Sequence, residues 1–136
     1  MRRALALAAL IAVSAATAAS AETWKKYIDV GNGLSWSYDA DSIYKDRATS
    51  RLVVMQAVSK PDAHIGPSGP GKPDGVGSVV ALDCAKHNLI TVGSYKPGQP
   101  LSPGDWRSDT PKKAEGPDND ALFAAVCPLA ANAPAK

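Results

Sequence analysis

The sequence is poor in the residue types that define several protein classes. It holds two cysteines, two histidines and one phenylalanine among 136 residues. A tetrahedral metal site would have to use every cysteine and histidine in the chain, so we expect no metal. No run after Val13 approaches the roughly 20 apolar residues of a membrane-spanning helix, so we expect no integral membrane segment.

A concentrated excess of basic charge is also missing. Without the first 21 residues the chain carries 13 Lys and Arg against 13 Asp and Glu, a formal charge of zero. Only the pairs Lys25–Lys26 and Lys112–Lys113 place cations side by side. Because a polyanion-binding surface depends on clustered cations, we predict no nucleic acid partner.

The N-terminal segment, residues 1–21, has the pattern of a secretory signal. Arg2 and Arg3 precede an apolar run, Ala4–Val13, and small residues follow at Ala19–Ala21. This run is about half the length of a membrane span. We therefore expect cleavage after residue 21 and an exported, periplasmic, surface or secreted chain. Residues 22–136 have the length of one domain.

The segment Asp83–His87, DCAKH, allows two interpretations of Cys84, as one end of a disulfide or as part of a metal or haem site. In an oxidising compartment the two cysteines of a small domain pair, which predicts a disulfide from Cys84 to Cys127 worth about 4 kcal/mol. A metal site would need His87 and His64 as well. Covalent haem requires C-x-x-C-H, whose second cysteine is absent, so we predict no cofactor.

Two-residue alternation of apolar and polar side chains predicts an antiparallel sheet. Leu34, Trp36 and Tyr38 fall on one face of a strand, and Gly31–Gly33 supplies the turn of a hairpin. We therefore place Trp36 in the core. The predicted strands cover residues 23–30, 34–39, 49–60, 78–85 and 88–95.

Other segments break the alternation. Residues 61–77 contain four prolines and five glycines, which predicts a surface loop. Trp106 should pin a second loop to the core. A short helix is predicted near the C-terminus, with Asp118 as N-cap, one apolar side, and an end at Pro128. That apolar side consists of Leu122, Phe123 and Val126.

Several catalytic patterns are present only in part. Gly66–Pro73 resembles a phosphate loop, but its prolines remove amide donors, and within it Pro70 ends a near match to G-x-S-x-G. Ser42–Lys45 matches S-x-x-K without the segments that accompany it in enzymes. Turn and capping roles account for the acidic pairs, so we predict no catalytic residue. These pairs are Asp39 with Asp41, and Asp118 with Asp120.

Together, an early Trp24, YDADSI at Tyr38–Ile43, LDC at Leu82–Cys84, Trp106 and AVC at Ala125–Cys127 resemble the bacterial surface-adhesin protein E family. The resemblance covers essentially the whole mature chain. It implies an antiparallel sheet of about six strands backed by a C-terminal helix, a disulfide joining strand and helix, and no catalytic residues. It also implies that Trp24 and Trp106 are core anchors.

The expected protein is thus an α+β, non-enzymatic envelope protein that binds a protein partner, with a host extracellular-matrix protein as one candidate. No cysteine follows the apolar run of the signal, so lipid attachment does not transfer from the family. A periplasmic inhibitor or accessory protein acting through loop 61–77 is the alternative. A small hydrolase using His64 or His87 ranks last. The sequence leaves a homo-oligomer open.

Overall fold

The computed structural model describes residues 23–59, 76–95 and 104–136. The predicted signal, residues 1–21, and most of the predicted loop 61–77 lie outside the described residues, as does His64. The prediction of this loop was wrong at its end, because residues 76 and 77 belong to a strand. Gly77 pairs with Ala57 on one side and with Tyr95 on the other.

The described residues form seven strands, one α-helix and two 3-10 helices. The strands are β1 Trp24–Gly31, β2 Leu34–Asp39, β3 Tyr44–Lys45, β4 Leu52–Ser59, β5 Val76–Asp83, β6 Asn88–Tyr95 and β7 Lys112–Lys113. The helix α1 spans Pro117–Val126, and the 3-10 helices span Trp106–Ser108 and Cys127–Asn132.

The strands form one antiparallel sheet in the order β1-β2-β4-β5-β6-β7, and β3 pairs with the start of β4. The predicted hairpin between β1 and β2 is confirmed. Its turn uses three residues with positive φ, namely Gly31 at 83°, Asn32 at 52° and Gly33 at 72°. This left-handed backbone explains the glycines, since a Cβ opposes it.

One face of the sheet packs against α1. Leu122 and Val126 of the helix are fully buried against a layer from the central strands. That layer consists of Tyr38, Leu52, Val54, Val80 and Leu82. Because α1 has only ten residues, a length at which isolated helices are unstable, its burial on the sheet is what stabilises it.

The opposite face has its own apolar cluster, made of Val53, Val79, Ala81, Ile90, Val92 and Trp106. Val53 and Val54, neighbours in β4, are 1% and 0% exposed on opposite faces. Both faces of β4 are therefore covered by apolar side chains. Trp106, which completes this second cluster, belongs to the first 3-10 helix.

The start of α1 differs from the prediction, which was wrong about Asp118 as N-cap. Gly116 is the N-cap, with φ 98°, and Pro117 is the first helical residue. Proline fits this position because its fixed φ is helical and its missing N–H is not needed there. Asp118 and Asp120 lie instead in the first turn, where their negative charge interacts favourably with the positive end of the helix dipole.

The end of α1 agrees more closely with the sequence. α1 ends at Val126, and its last α-helical hydrogen bond runs from the N–H of the C-cap residue Cys127 to Phe123 O. The chain then continues through Pro128 as a 3-10 helix. The predicted fold class is confirmed as α+β, with an antiparallel sheet, a C-terminal helix and one disulfide. No helix in the described ranges has the length and apolarity to cross a bilayer.

Candidate functional site

The Cys84–Cys127 disulfide is present, with 5.9 Å between its Cα atoms. Cys84 is the first residue after β5 and is exposed, while Cys127 is half-buried at the end of α1. The bond therefore ties the β5–β6 turn to the junction of the helix and the second 3-10 helix. Both cysteines of the chain form this bond, so neither is a free thiol.

His87 completes the β5–β6 turn with a positive φ of 54°. Its Nε2 lies 3.0 Å from Asp120 Oδ1, and its ring centroid lies 4.3 Å from that of Phe123. Its carbonyl accepts the N–H of Ala114 at 3.0 Å. The histidine thus fastens the turn to α1. No three His, Cys, Asp or Glu residues within the described ranges are grouped to hold a metal ion.

The three tryptophans predicted as core anchors lie in different surroundings. Trp106 is 3% exposed within the cluster on the face opposite α1. Trp24 is half-buried and packs against that same cluster. Trp36 is also half-buried and, two residues before Tyr38 in β2, belongs to neither buried cluster.

The acidic and serine patterns noted in the sequence form no reactive arrangement. Asp39 is buried and accepts the N–H groups of Thr23 at 2.9 Å and Asp41 at 3.0 Å. Asp41 accepts the hydroxyl of Thr23. Ser42 Oγ is buried and hydrogen-bonds to nothing in the structure. Within the described residues, no hydroxyl is therefore hydrogen-bonded to a histidine.

The sequence did not indicate an ion pair between the exposed Arg107 and the buried carboxylate of Asp46. The side chain of Asp46 is 2% exposed, and Arg107 donates to it from Nε and Nη2 at distances of 2.5 to 3.2 Å. Thr49 adds its N–H and hydroxyl at 3.0 and 2.7 Å. The spacing of Asp46 and Thr49 is a turn signal, but nothing local indicates Arg107 as a partner.

A satisfied polar network marks the border of the helix-covered area. Tyr27 donates its hydroxyl to Gln56 Oε1 at 2.9 Å, and Gln56 Nε2 donates to Ser78 Oγ at 3.2 Å. Burial raises the pKa of Tyr27 above its usual range, and the charge of Asp118 adds to this effect. The phenol therefore stays protonated and acts as a fixed hydrogen-bond donor.

Beyond this border lies a row of apolar side chains in cross-strand register. Ile28 of β1 pairs with Trp36 of β2, and Trp36 pairs with Val58 of β4. All three are half-buried, whereas Tyr38 in the neighbouring row is 8% exposed. Val30, at the end of β1, is 41% exposed. This apolar row, centred on a tryptophan, is therefore less completely buried than the neighbouring row that holds Tyr38.

The outer edge of β1 borders this row. β1 ends the strand order, and no strand in the described part of the chain pairs with its outer side. Two register shifts interrupt its pairing with β2, one between Lys26 and Ile28 and one between Asp29 and Gly31. Bulges and lysines are features that limit uncontrolled pairing at sheet edges. These features restrict which strands can pair with the outer edge of β1.

The edge of β3 is filled by the C-terminal segment Pro134–Lys136. The N–H of Lys45 donates to Pro134 O at 2.8 Å, and the N–H of Lys136 donates to Lys45 O at 2.9 Å. Arg47 donates its N–H to Lys136 O at 2.9 Å. Lys45 and Ala135 form a parallel bridge. No pattern in the sequence indicates this pairing, since three residues carry no periodicity.

No family model matches the chain, and no match to it was found among curated proteins or among solved structures. The resemblance to surface-adhesin protein E therefore stays a prediction.

Proposed function

We propose that this chain is an exported, non-enzymatic protein-binding module of the bacterial envelope, related to surface-adhesin protein E. Its partner adds an extended segment to the outer edge of β1 and packs an apolar side chain against the row of Ile28, Trp36 and Val58. The observation that carries the proposal is the position of this half-buried row directly beside β1, at whose outer side no strand of the described residues pairs.

The chemistry of the row supports a protein partner. A tryptophan that keeps part of its surface in water is the residue type most often found at the energetic centre of protein interfaces. A free strand edge supplies backbone donors and acceptors for an incoming strand, which gives affinity without sequence-specific contacts. Trp36 and its neighbours would then provide the specificity.

Export is supported by the N-terminal pattern and by the disulfide. Residues 1–21 have the charge, apolar run and small residues of a secretory signal. The Cys84–Cys127 bond belongs to an oxidising compartment. Protease treatment of intact cells separates the two locations: digestion of the protein fits a surface adhesin, and protection fits a periplasmic module.

The binding test uses immobilised panels of matrix glycoproteins and of envelope proteins with the mature chain in solution. Trp36→Ala should weaken binding to the partner by roughly thirtyfold, the loss expected for a central interface residue. Leu129→Ala is the matched control, because Leu129 is 38% exposed in the C-terminal 3-10 helix. That variant should bind as the wild type does.

Amide hydrogen exchange on the wild-type complex gives an independent measurement. Amides of β1 that exchange freely in the unbound protein should become protected when the partner is bound. A panel without any saturable partner, or a partner that binds Trp36→Ala unchanged and leaves β1 amides unprotected, would refute the proposal.

A further inference from the structure

The C-terminal segment Pro134–Lys136 lies along β3 as an added parallel strand. All three of its hydrogen bonds join main-chain groups, two with Lys45 and one with Arg47. The ammonium of Lys136 also lies 5.1 Å from the centroid of the Tyr44 ring. Main-chain pairing accepts many sequences, whereas a ring below a cation favours Lys or Arg.

We propose that the edge of β3 is a binding site for an extended peptide that carries a Lys or Arg, and that Pro134–Lys136 occupy it as a built-in competitor. The main-chain groups of this site belong to Lys45 and Arg47 and not to the β1 edge or the Trp36 row, so its binding is tested separately from the function proposed above.

The competitor can leave without opening the core. Residues Pro134, Ala135 and Lys136 are all exposed, whereas Ala133 before them is half-buried and packs against the cluster under α1. Departure of the segment uncovers two N–H donors, of Lys45 and Arg47, and the carbonyl of Lys45. An incoming strand satisfies these same groups, so one extended segment replaces another.

A hollow next to Pro134 defines a second feature of the ligand. Its volume is about 270 Å³, and Pro134 forms part of its wall together with Ile43 and Leu129. The remaining lining residues are Lys25, Ala40, Asn132 and Ala133. A peptide residue in place of Pro134 would border this mostly apolar space. The preferred ligand therefore has an apolar residue two positions before its Lys or Arg.

The test compares two proline variants of the full chain. Lys136→Pro removes the N–H that donates to Lys45 O and the ammonium beside Tyr44, while Ala135→Pro removes an N–H that bonds to no described residue. The probe is a capped peptide, Ala-Asn-Ala-Pro-Ala-Lys, titrated while the amide NMR signals of Lys45 and Arg47 are followed. Lys136→Pro should bind it about tenfold more tightly than wild type, because the tethered competitor is weakened. Ala135→Pro should behave as wild type.

A second probe checks that binding uses the main chain. Replacing the amide N–H of the peptide's lysine with an ester oxygen should weaken binding about fivefold, the loss of one hydrogen bond. The same replacement at the preceding alanine should have no effect. Equal affinities of the two proline variants, or peptide-induced shifts that spare Lys45 and Arg47, would overturn the proposal.

Discussion

Arg107 donates two hydrogen bonds to the carboxylate of Asp46, 61 residues earlier in the sequence, with Nη2 2.5 Å from Oδ1 and Nε 3.1 Å from Oδ2. The guanidinium also lies over the indole of Trp106, 4.7 Å from the ring centroid. The first 3-10 helix is thereby fixed to the turn between β3 and β4. Thr49 supplies two further donors, so both oxygens of this buried carboxylate accept hydrogen bonds.

The Asp46–Arg107 pair makes stability depend on pH in the acid range. Hydrogen bonds from Arg107, together with those from Thr49, lower the pKa of Asp46 to about 2 against the opposing effect of burial. A carboxyl with a lowered pKa stabilises the fold above its unfolded pKa, near 4, and loses this contribution as pH falls through about 2. We expect Arg107→Gln to be less stable than wild type at pH 5, with a difference that narrows towards pH 2.

Urea unfolding at pH 2, 3, 4, 5 and 7 measures this difference. Arg47→Gln is the control, since it removes the same charge from an exposed side chain near the same turn. A gap between Arg107→Gln and wild type that stays constant across this range would show that the pair does not titrate as described.

The disulfide should carry a large share of the total stability. Its cysteines are 43 positions apart, and closing a loop of this length restricts the unfolded chain by about 4 kcal/mol. We expect the double variant Cys84→Ser, Cys127→Ser to lose stability of that order in urea unfolding. Reduction of the wild type should give the same loss and leave the double variant unchanged.

Intact mass after thiol alkylation provides the complementary check on the cellular protein. Material recovered from its native location should take up no alkylating group without prior reduction. Two labelled thiols in that material would contradict both the disulfide in the cell and the proposed export.

Features that repeat locally could be predicted from the sequence. Alternation located β2, and the Gly31–Gly33 turn fixed its hairpin with β1. The pairing of Cys84 with Cys127 followed from counting cysteines in an exported chain. Such features depend on neighbours in sequence or on a unique partner, so no three-dimensional information was needed.

Long-range polar contacts could not be predicted in the same way. Nothing in the sequence distinguishes Asp46 or Arg107 from other charged residues, because their pairing depends on where two distant turns meet. The pairing of Pro134–Lys136 with β3 could not be predicted either, since it uses main-chain groups that every residue has. The helix start was different: Pro117 was a visible signal that outweighs the capping preference of Asp118.

The hairpin turn permits a test of backbone strain alone. A Cβ at Gly33 or at Gly104 meets no atom within 4 Å, but only Gly33 has a positive φ, of 72°. We expect Gly33→Ala to cost roughly 1 kcal/mol, the penalty of a left-handed backbone for an L-residue. Gly104→Ala should be close to neutral by the same urea measurement. Equal effects at both positions would mean that strain in the turn is not the cause.

Leu122 tests whether α1 is an integral part of the fold. Its side chain is fully buried against the sheet, so Leu122→Ala removes apolar contacts and leaves a cavity. We expect a loss of about 3 kcal/mol in free energy of unfolding. Ala124→Ser, on the exposed side of the same helix, should lower the free energy of unfolding by only about 0.5 kcal/mol, since it changes helix propensity alone.

Hydrogen exchange gives a second measurement of the same variant. Because the ten-residue helix depends on packing, its loosening in Leu122→Ala should also make the amide of Asn88, which follows His87, exchange faster. A loss below roughly 1 kcal/mol would mean that the sheet stands without the helix, and that the disulfide rather than Leu122 holds α1 in place.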